Sequence, residues 1–271
     1  MPELPEVETV KETLKKKLLH EHILNIQILY DGIIATNIDE FKEKIINQEI
    51  IDINRIGKFL IMELNNYNLV IHLRMEGKFY IKDFNDSILK HEHVIFTLDH
   101  YSLRYHDTRK FGKMYLINKD ELLSCYPINK LGLEPWNNEL NISYLKDKLN
   151  KNIAIKTLLL DQSIICGIGN IYADEILFLS HINPLKKGYE LNDKDCLNII
   201  NNTKTILEEA IKLGGTTIRS YTSSLGVTGR FQNKLMVHTK EICPICKTNI
   251  LKIKVNGRGT YYCPNCQKGD V

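Results

Sequence analysis

Val7, Val10, Leu14 and Leu18 recur every three or four positions in an otherwise charged stretch. That period lines them up on one face of a helix of roughly four turns, with Lys15, Lys16 and Lys17 towards its end. Beyond it the pattern changes. Residues 23–30, 50–56, 59–64, 69–74, 93–98, 102–105 and 113–117 are short runs rich in β-branched or aromatic side chains, which predicts strands. Asn65-Asn66-Tyr67-Asn68 predicts a turn between two of them, and one helix is expected around residues 38–46. Many short strands with turn punctuation imply an antiparallel sandwich or barrel. Residues 131–138, with Gly132, Pro135 and Trp136, read as a linker. Helical patterning follows over 143–149, 153–160, 171–179 and 193–213. Asp193 is the expected N-cap of the last helix and Gly214-Gly215 its stop. The polar stretch 216–230, with Gly226 and Gly229, has the length of a functional loop.

A chain of 271 residues can hold more than one core. Its net charge of +3 is unevenly spread. Residues 231–271 carry seven Lys/Arg against two Asp/Glu, so the tail is +5 and the remainder −2, a distribution that suits a polyanionic partner. No basic segment leads into an apolar one at the N-terminus, and no apolar run approaches the ~20 residues of a membrane span. A secreted or membrane-embedded protein is therefore not expected. Of seven cysteines, four fall in two Cys-x-x-Cys pairs and Cys125, Cys166 and Cys196 are scattered. That is intracellular usage rather than a disulfide framework.

The two pairs, Cys243/Cys246 and Cys263/Cys266, have the spacing of a tetrahedral Zn²⁺ site, with Asn256-Gly257 turning a hairpin between them. Four thiolates leave no open position, so one ion would fold the tail rather than catalyse, and Arg258 near the hairpin tip could meet a phosphate. Gly167-Ile168-Gly169-Asn170 opens a helix whose first N–H groups suit an anion, although such a stretch by itself is more often a tight helix–helix turn. Asp107-Thr-Arg-Lys-Phe-Gly112 places Phe111 after two cations, the composition of a phosphate contact joined to a base-stack wedge. Met75 is a second candidate wedge. Lys58 follows a glycine at a strand junction, and His72 lies within a strand; taken singly, Lys58 reads first as a solvent-facing lysine and His72 as a satisfied core histidine. Pro2 is different in kind. If Met1 is removed, Pro2 carries a secondary amine able to form an iminium, with the carboxylates of Glu3 and Glu6 beside it. Alone, Pro-Glu-Leu-Pro-Glu is also a good helix start.

Together these motifs resemble a family, the bacterial formamidopyrimidine-DNA glycosylases, which repair oxidised purines. The likeness is carried by PELPEVE at 2–8, IGK at 56–58, HLRMEGKF at 72–79, KHEHV at 90–94, DTRKFG at 107–112, GIGNIYADE at 167–175, GGTT at 214–217 and GRGTYYCPNCQ at 257–267. The resemblance implies a multidomain α+β protein: an N-terminal β-sandwich with an N-terminal helix (1–130), a linker (131–138), a helical helix–two-turn–helix domain with a lesion-capping loop (139–230) and a four-cysteine zinc finger (231–271). It implies a bifunctional glycosylase and AP lyase acting on damaged double-stranded DNA such as 8-oxoguanine duplexes. Pro2 would be the nucleophile and Glu3 the acid/base. Lys58, Glu6 and Arg258 would assist. His72, Met75, His91, Arg109, Phe111, Lys156 and Asn170 would contact DNA or fill the gap left by a flipped nucleotide. One structural Zn²⁺, a monomer and a bacterial cytoplasmic, nucleoid-associated location are expected. The chain departs from the family at Leu235–Lys240, where Val-Tyr-Gly-Arg is more usual, and at Thr108, where Pro is common. Two alternatives are an endonuclease VIII-like enzyme for oxidised pyrimidines and a non-catalytic zinc-finger DNA-binding protein.

Overall fold

The structure is a computed structural model and describes residues 1–216 and 229–268. These divide into two compact units: residues 1–129 with 214–216 and 229, and residues 130–213 with 230–268.

The first unit begins with helix α1 (Leu4–Leu18). Its stripe of Val7, Val10, Leu14 and Leu18 is at most 1% exposed, each side chain contributing about 2 kcal/mol by leaving water. Lys15, Lys16 and Lys17 complement the C-terminal end of its dipole. The strands that follow are β1 (Asn25–Ile28), β2 (Ile50–Ile56), β3 (Phe59–Leu64), β4 (Tyr67–His72), β5 (Lys78–Lys82), β6 (Glu92–Thr97), β7 (Ser102–His106) and β8 (Lys113–Asn118), with helix α2 (Ile38–Ile45) between β1 and β2. They form two four-stranded antiparallel sheets, ordered β1-β6-β7-β5 and β2-β3-β4-β8. One core joins them. Phe79, Phe96, Leu103 and Tyr105 of the first sheet share a cluster with Ile53, Leu60, Leu69, Ile71 and Met114 of the second, and with the α1 stripe. This is the sandwich expected from the sequence.

Two details of this unit differ from expectation. Strand β5 was not anticipated: Lys78-Phe-Tyr-Ile-Lys82 has charged ends and only one buried side chain, so its short pattern is lost beside the preceding turn. Tyr67 and Asn68 belong to β4, leaving Asn65-Asn66 alone as the turn.

The second unit carries helices α3 (Ile142–Leu149), α4 (Ile155–Leu159), α5 (Asn170–Leu179) and α6 (Asp193–Lys212), then the hairpin β9 (Leu251–Val255) and β10 (Arg258–Tyr262). α5 packs against both α6 and β10. The cap of α6 is Asn192, not Asp193: Asn192 Oδ1 accepts from Asp195 N at 2.9 Å, and Asp195 Oδ2 accepts from Asn192 N at 3.2 Å. Two cap-competent residues stand side by side, and the one with a carboxylate three positions on wins. Among the described residues no helix is long and apolar enough to cross a membrane.

Candidate active site and nucleic-acid interface

Pro2 and Glu3 are buried at the head of α1, while Met1 is 47% exposed. The first turn of α1 is held by Glu6. Its Oε2 accepts from Glu3 N at 2.8 Å, meeting one of the donors a helix start leaves unpaired. Its Oε1 accepts from Thr216 N at 2.7 Å and Thr216 Oγ1 at 3.1 Å. Gly215 has φ +76°, and a Cβ there would lie 2.6 Å from Glu6 Oε1. Glycine is therefore required for the chain to pass the carboxylate. The rest of the expected capping loop, residues 217–228, lies outside the described residues.

Lys58 occupies the two-residue turn between β2 and β3 and is 5% exposed. His72 lies directly across from Phe59 on β4, with ring centroids 4.6 Å apart in an edge arrangement. Burial, then the charges of Arg74 and Lys58, push its imidazole down to about 3, so the ring is neutral. Its Nδ1 accepts from Arg74 N at 3.0 Å. Met75 follows in the same turn, half-buried.

The loop after β7 is built by Asp107, which is fully buried. Oδ1 accepts from Arg109 N and Oδ2 from Phe111 N and Gly112 N, all at 2.9 Å. A Cβ on Gly112 would fall 1.7 Å from Tyr105 Oη. The carboxylate thus folds the loop on itself and turns Arg109 and Phe111 outward. The Arg109 guanidinium lies 4.8 Å from the centroid of the Phe111 ring, which is 51% exposed. That stack presents a cation and an apolar plate together. His91 has φ +73° and packs edge-on to His106, with centroids 5.8 Å apart. The structure therefore brings Pro2, Glu3, Glu6, Lys58, His72, Met75, His91, Arg109 and Phe111 into one unit. Asp107 was missed as an organiser, although an aspartate two positions before an Arg-Lys-Phe-Gly run is a readable turn signal.

In the second unit Asn170 opens α5 and Gly169 is its N-cap. Gln162 shapes the preceding turn: its Nε2 donates to Leu160 O and Ile168 O, and its Oε1 accepts from Gly167 N, each at 2.9 Å. Asn170 Nδ2 donates to Gly259 O at 2.9 Å, tying α5 to the finger hairpin. Lys156 does not stand at a surface. It is fully buried, donating to Asp174 Oδ1 at 2.6 Å and Asn170 O at 2.7 Å. Asp174 Oδ2 is 2.7 Å from His238 Nδ1. In this arrangement the Lys156 ammonium is held by these two oxygens at the mouth of α5. The neighbouring Glu175 accepts from Met236 N, Val237 N and His238 N at 2.8–3.0 Å. Burial pushes its carboxyl pKa up, against these three N–H groups.

Asn256 and Gly257 both have positive φ, +46° and +75°, and make the finger hairpin turn. Arg258 follows, exposed, and pairs with Val255 across the ladder. Cys243, Cys246, Cys263 and Cys266 bring their sulfurs within 4.8 Å of one another, with Cys246–Cys263 at 3.4 Å and Cys243–Cys266 at 3.8 Å. Tetrahedral Zn–S bonds of ~2.3 Å set sulfurs about 3.8 Å apart. The four cysteines fit one structural zinc ion, with no ligand position left for substrate.

Three family profiles match in order. The formamidopyrimidine-DNA glycosylase N-terminal domain covers residues 1–114. The formamidopyrimidine-DNA glycosylase H2TH domain covers 131–222, and the zinc finger found in FPG and IleRS covers 240–269. A formamidopyrimidine-DNA glycosylase of Listeria monocytogenes is 45% identical over 276 residues, 99% of this chain and 100% of the relative. One from Bacillus subtilis is 45% identical over 98% of this chain and 99% of its own. The solved complex of Lactococcus lactis Fpg with DNA containing an abasic site aligns over 99% of this chain and 100% of that one. Its TM-score is 0.93 at 40% identity.

Proposed function

From the premise that the chain belongs to the formamidopyrimidine-DNA glycosylase family, we propose how its own residues do the work. The protein is a DNA glycosylase for oxidised purines, and a lyase step is typical of the family. The observation that carries the mechanism is Pro2-Glu3 at the head of a helix whose first turn is held by Glu6 from both sides.

The target bond is hidden in a stacked duplex, so the damaged nucleotide must be turned out at a cost of roughly a few kcal/mol. Met75, Arg109 and Phe111 offset part of that cost by occupying the gap, and His72 and His91 face the backbone beside it. A neutral His72 serves as a hydrogen-bond donor through Nε2. With Met1 removed, the Pro2 nitrogen attacks C1′ of the sugar. The N-glycosidic bond breaks and the base leaves with a proton. Glu3 protonates the ring oxygen, opening the sugar to an iminium. The iminium acidifies C2′. Loss of that proton expels the 3′ phosphate, and a second elimination expels the 5′ phosphate. Lys58 and Arg258 hold phosphates and favour the neutral amine. Asn170 and Lys156 order the mouth of α5 for the backbone. The enzyme acts as a monomer at the bacterial nucleoid.

Borohydride trapping on an 8-oxoguanine duplex, with mass spectrometry of the N-terminal peptide, tests this. A DNA adduct on Pro2 is expected. An adduct on a lysine would move the nucleophile, and no adduct from intact zinc-loaded protein would leave DNA binding without lyase chemistry.

A further inference from the structure

Lys58 depends on the turn that carries it. Ile56 faces Phe59 across the β2–β3 ladder, and Gly57 between them has φ +56°, the conformation a two-residue hairpin asks of its first central residue. One side chain grips both this turn and the helix behind Pro2. Arg55 Nε donates to Glu8 Oε2 at 2.8 Å, and Arg55 Nη1 donates to the carbonyl oxygen of Gly57 at 2.9 Å. The Arg55 side chain is 8% exposed and that of Glu8 16%, so water competes little for the pair. Burial works against a charged Glu8, but Lys11 and Arg55 outweigh it and hold the carboxyl below its ordinary range. A planar guanidinium reaches two acceptors at fixed angles, which an ammonium cannot.

We propose that Arg55 and Glu8 form a strut that sets the Lys58 turn against the first turns of α1, making Arg55 a positioning residue for the chemistry at Pro2. The inference rests on the reading of Pro2 and Lys58 as catalytic. Those two groups come from different elements, a helix and a hairpin, and neither fixes the other through the chain. A displacement of about 1 Å between reacting groups can cost ~100-fold in rate. Arg55 spans the joint between the two elements, and the part it holds on the hairpin side is the peptide that precedes Lys58.

The test uses the full-length zinc-loaded protein and three readouts. These are single-turnover excision from an 8-oxoguanine duplex, Kd for DNA bearing a tetrahydrofuran abasic analogue, and thermal melting. Arg55→Met is expected to slow excision roughly 30-fold while Kd stays within about threefold. Arg55→Lys, which keeps the charge but reaches one acceptor, should recover part of the rate. Glu8→Gln combined with Arg55→Met should be no slower than Arg55→Met alone, because both break the same contact. Excision at the wild-type rate in Arg55→Met overturns the strut. So does a rate loss that only tracks lost DNA binding or lost melting temperature, or full additivity in the double variant. Lys58→Gln in the same assay keeps the two claims apart. Unchanged excision there sinks the reading of Lys58, and the strut with it. A dead Lys58→Gln beside a fast Arg55→Met sinks the strut alone.

Discussion

In each unit a buried carboxylate gathers three backbone N–H groups. Asp107 does so within its own loop, from Arg109, Phe111 and Gly112. Glu175 does so across 61 to 63 residues, from Met236, Val237 and His238. The chemistry is the same, but the reach is not. Asp107 shapes a surface loop that can open towards water if its anchor is lost. Glu175 fixes the segment leading into the zinc finger, where the N–H groups of Val237 and His238 are buried and would have no substitute. The comparison teaches that an anchor's importance depends on what its partners can do without it.

Zinc removal should break the symmetry of the two units most completely. A strong chelator, or Cys263→Ala, is expected to unfold the finger, since structural zinc contributes on the order of 10 kcal/mol. DNA binding should vanish while the sandwich keeps its own cooperative melt. Tight lesion binding by metal-free protein would contradict this. Glu175→Ala comes next. It should lower stability by about 4 kcal/mol in urea melts and hasten zinc release, and a loss near zero would mean the 236–238 segment is held by other contacts. Asp107→Ala should cost less, about 2 kcal/mol, yet weaken DNA binding roughly tenfold by releasing Arg109 and Phe111. Equal stability losses in the two variants would erase the distinction. The last effect is a pH dependence within the sandwich. His72 is depressed in the folded state to about 3, against ~6.5 when unfolded. Its unfolded form therefore binds the extra proton. The associated stability is complete above pH ~6.5 and falls through acid towards pH 3, by about 1.4 kcal/mol per pH unit at most. His72→Asn should flatten that part of the acid slope in urea melts between pH 7 and 5, and an unchanged slope would mean His72 is protonated in the fold.

The same contrast in reach separates what was legible in the chain from what was not. The α1 stripe, most of the strands, the Asn256-Gly257 hairpin and the zinc cysteines follow from short-range period and spacing. Asp107 was equally readable, because its partners lie within five residues. Lys156 was not. Its ammonium sits in a buried pair with Asp174, which no local pattern announces. Asp174 and Glu175 lie within the GIGNIYADE stretch, but their work depends on residues near 236–238, where the chain departs from the family's usual sequence. His238 takes up the free oxygen of Asp174 there. β5 was lost for the opposite reason: its few residues carry too little pattern, and its pairing with β7 defines it.

The Glu6 contact also has a consequence in time. Its Oε1 takes two hydrogen bonds from Thr216, 210 positions later in the chain. At ribosomal rates of roughly 5–20 residues per second, about 10–40 s separate the synthesis of the two residues. Everything in between, including most of the second unit, is translated first. The nascent sandwich can pack its core early, but the support of Glu6 beside Pro2 and Glu3 is completed only late in translation. A chain ending before residue 214 would emerge with α1 formed and Glu6 lacking those two donors, and with Glu175 still waiting for the N–H groups of Met236, Val237 and His238.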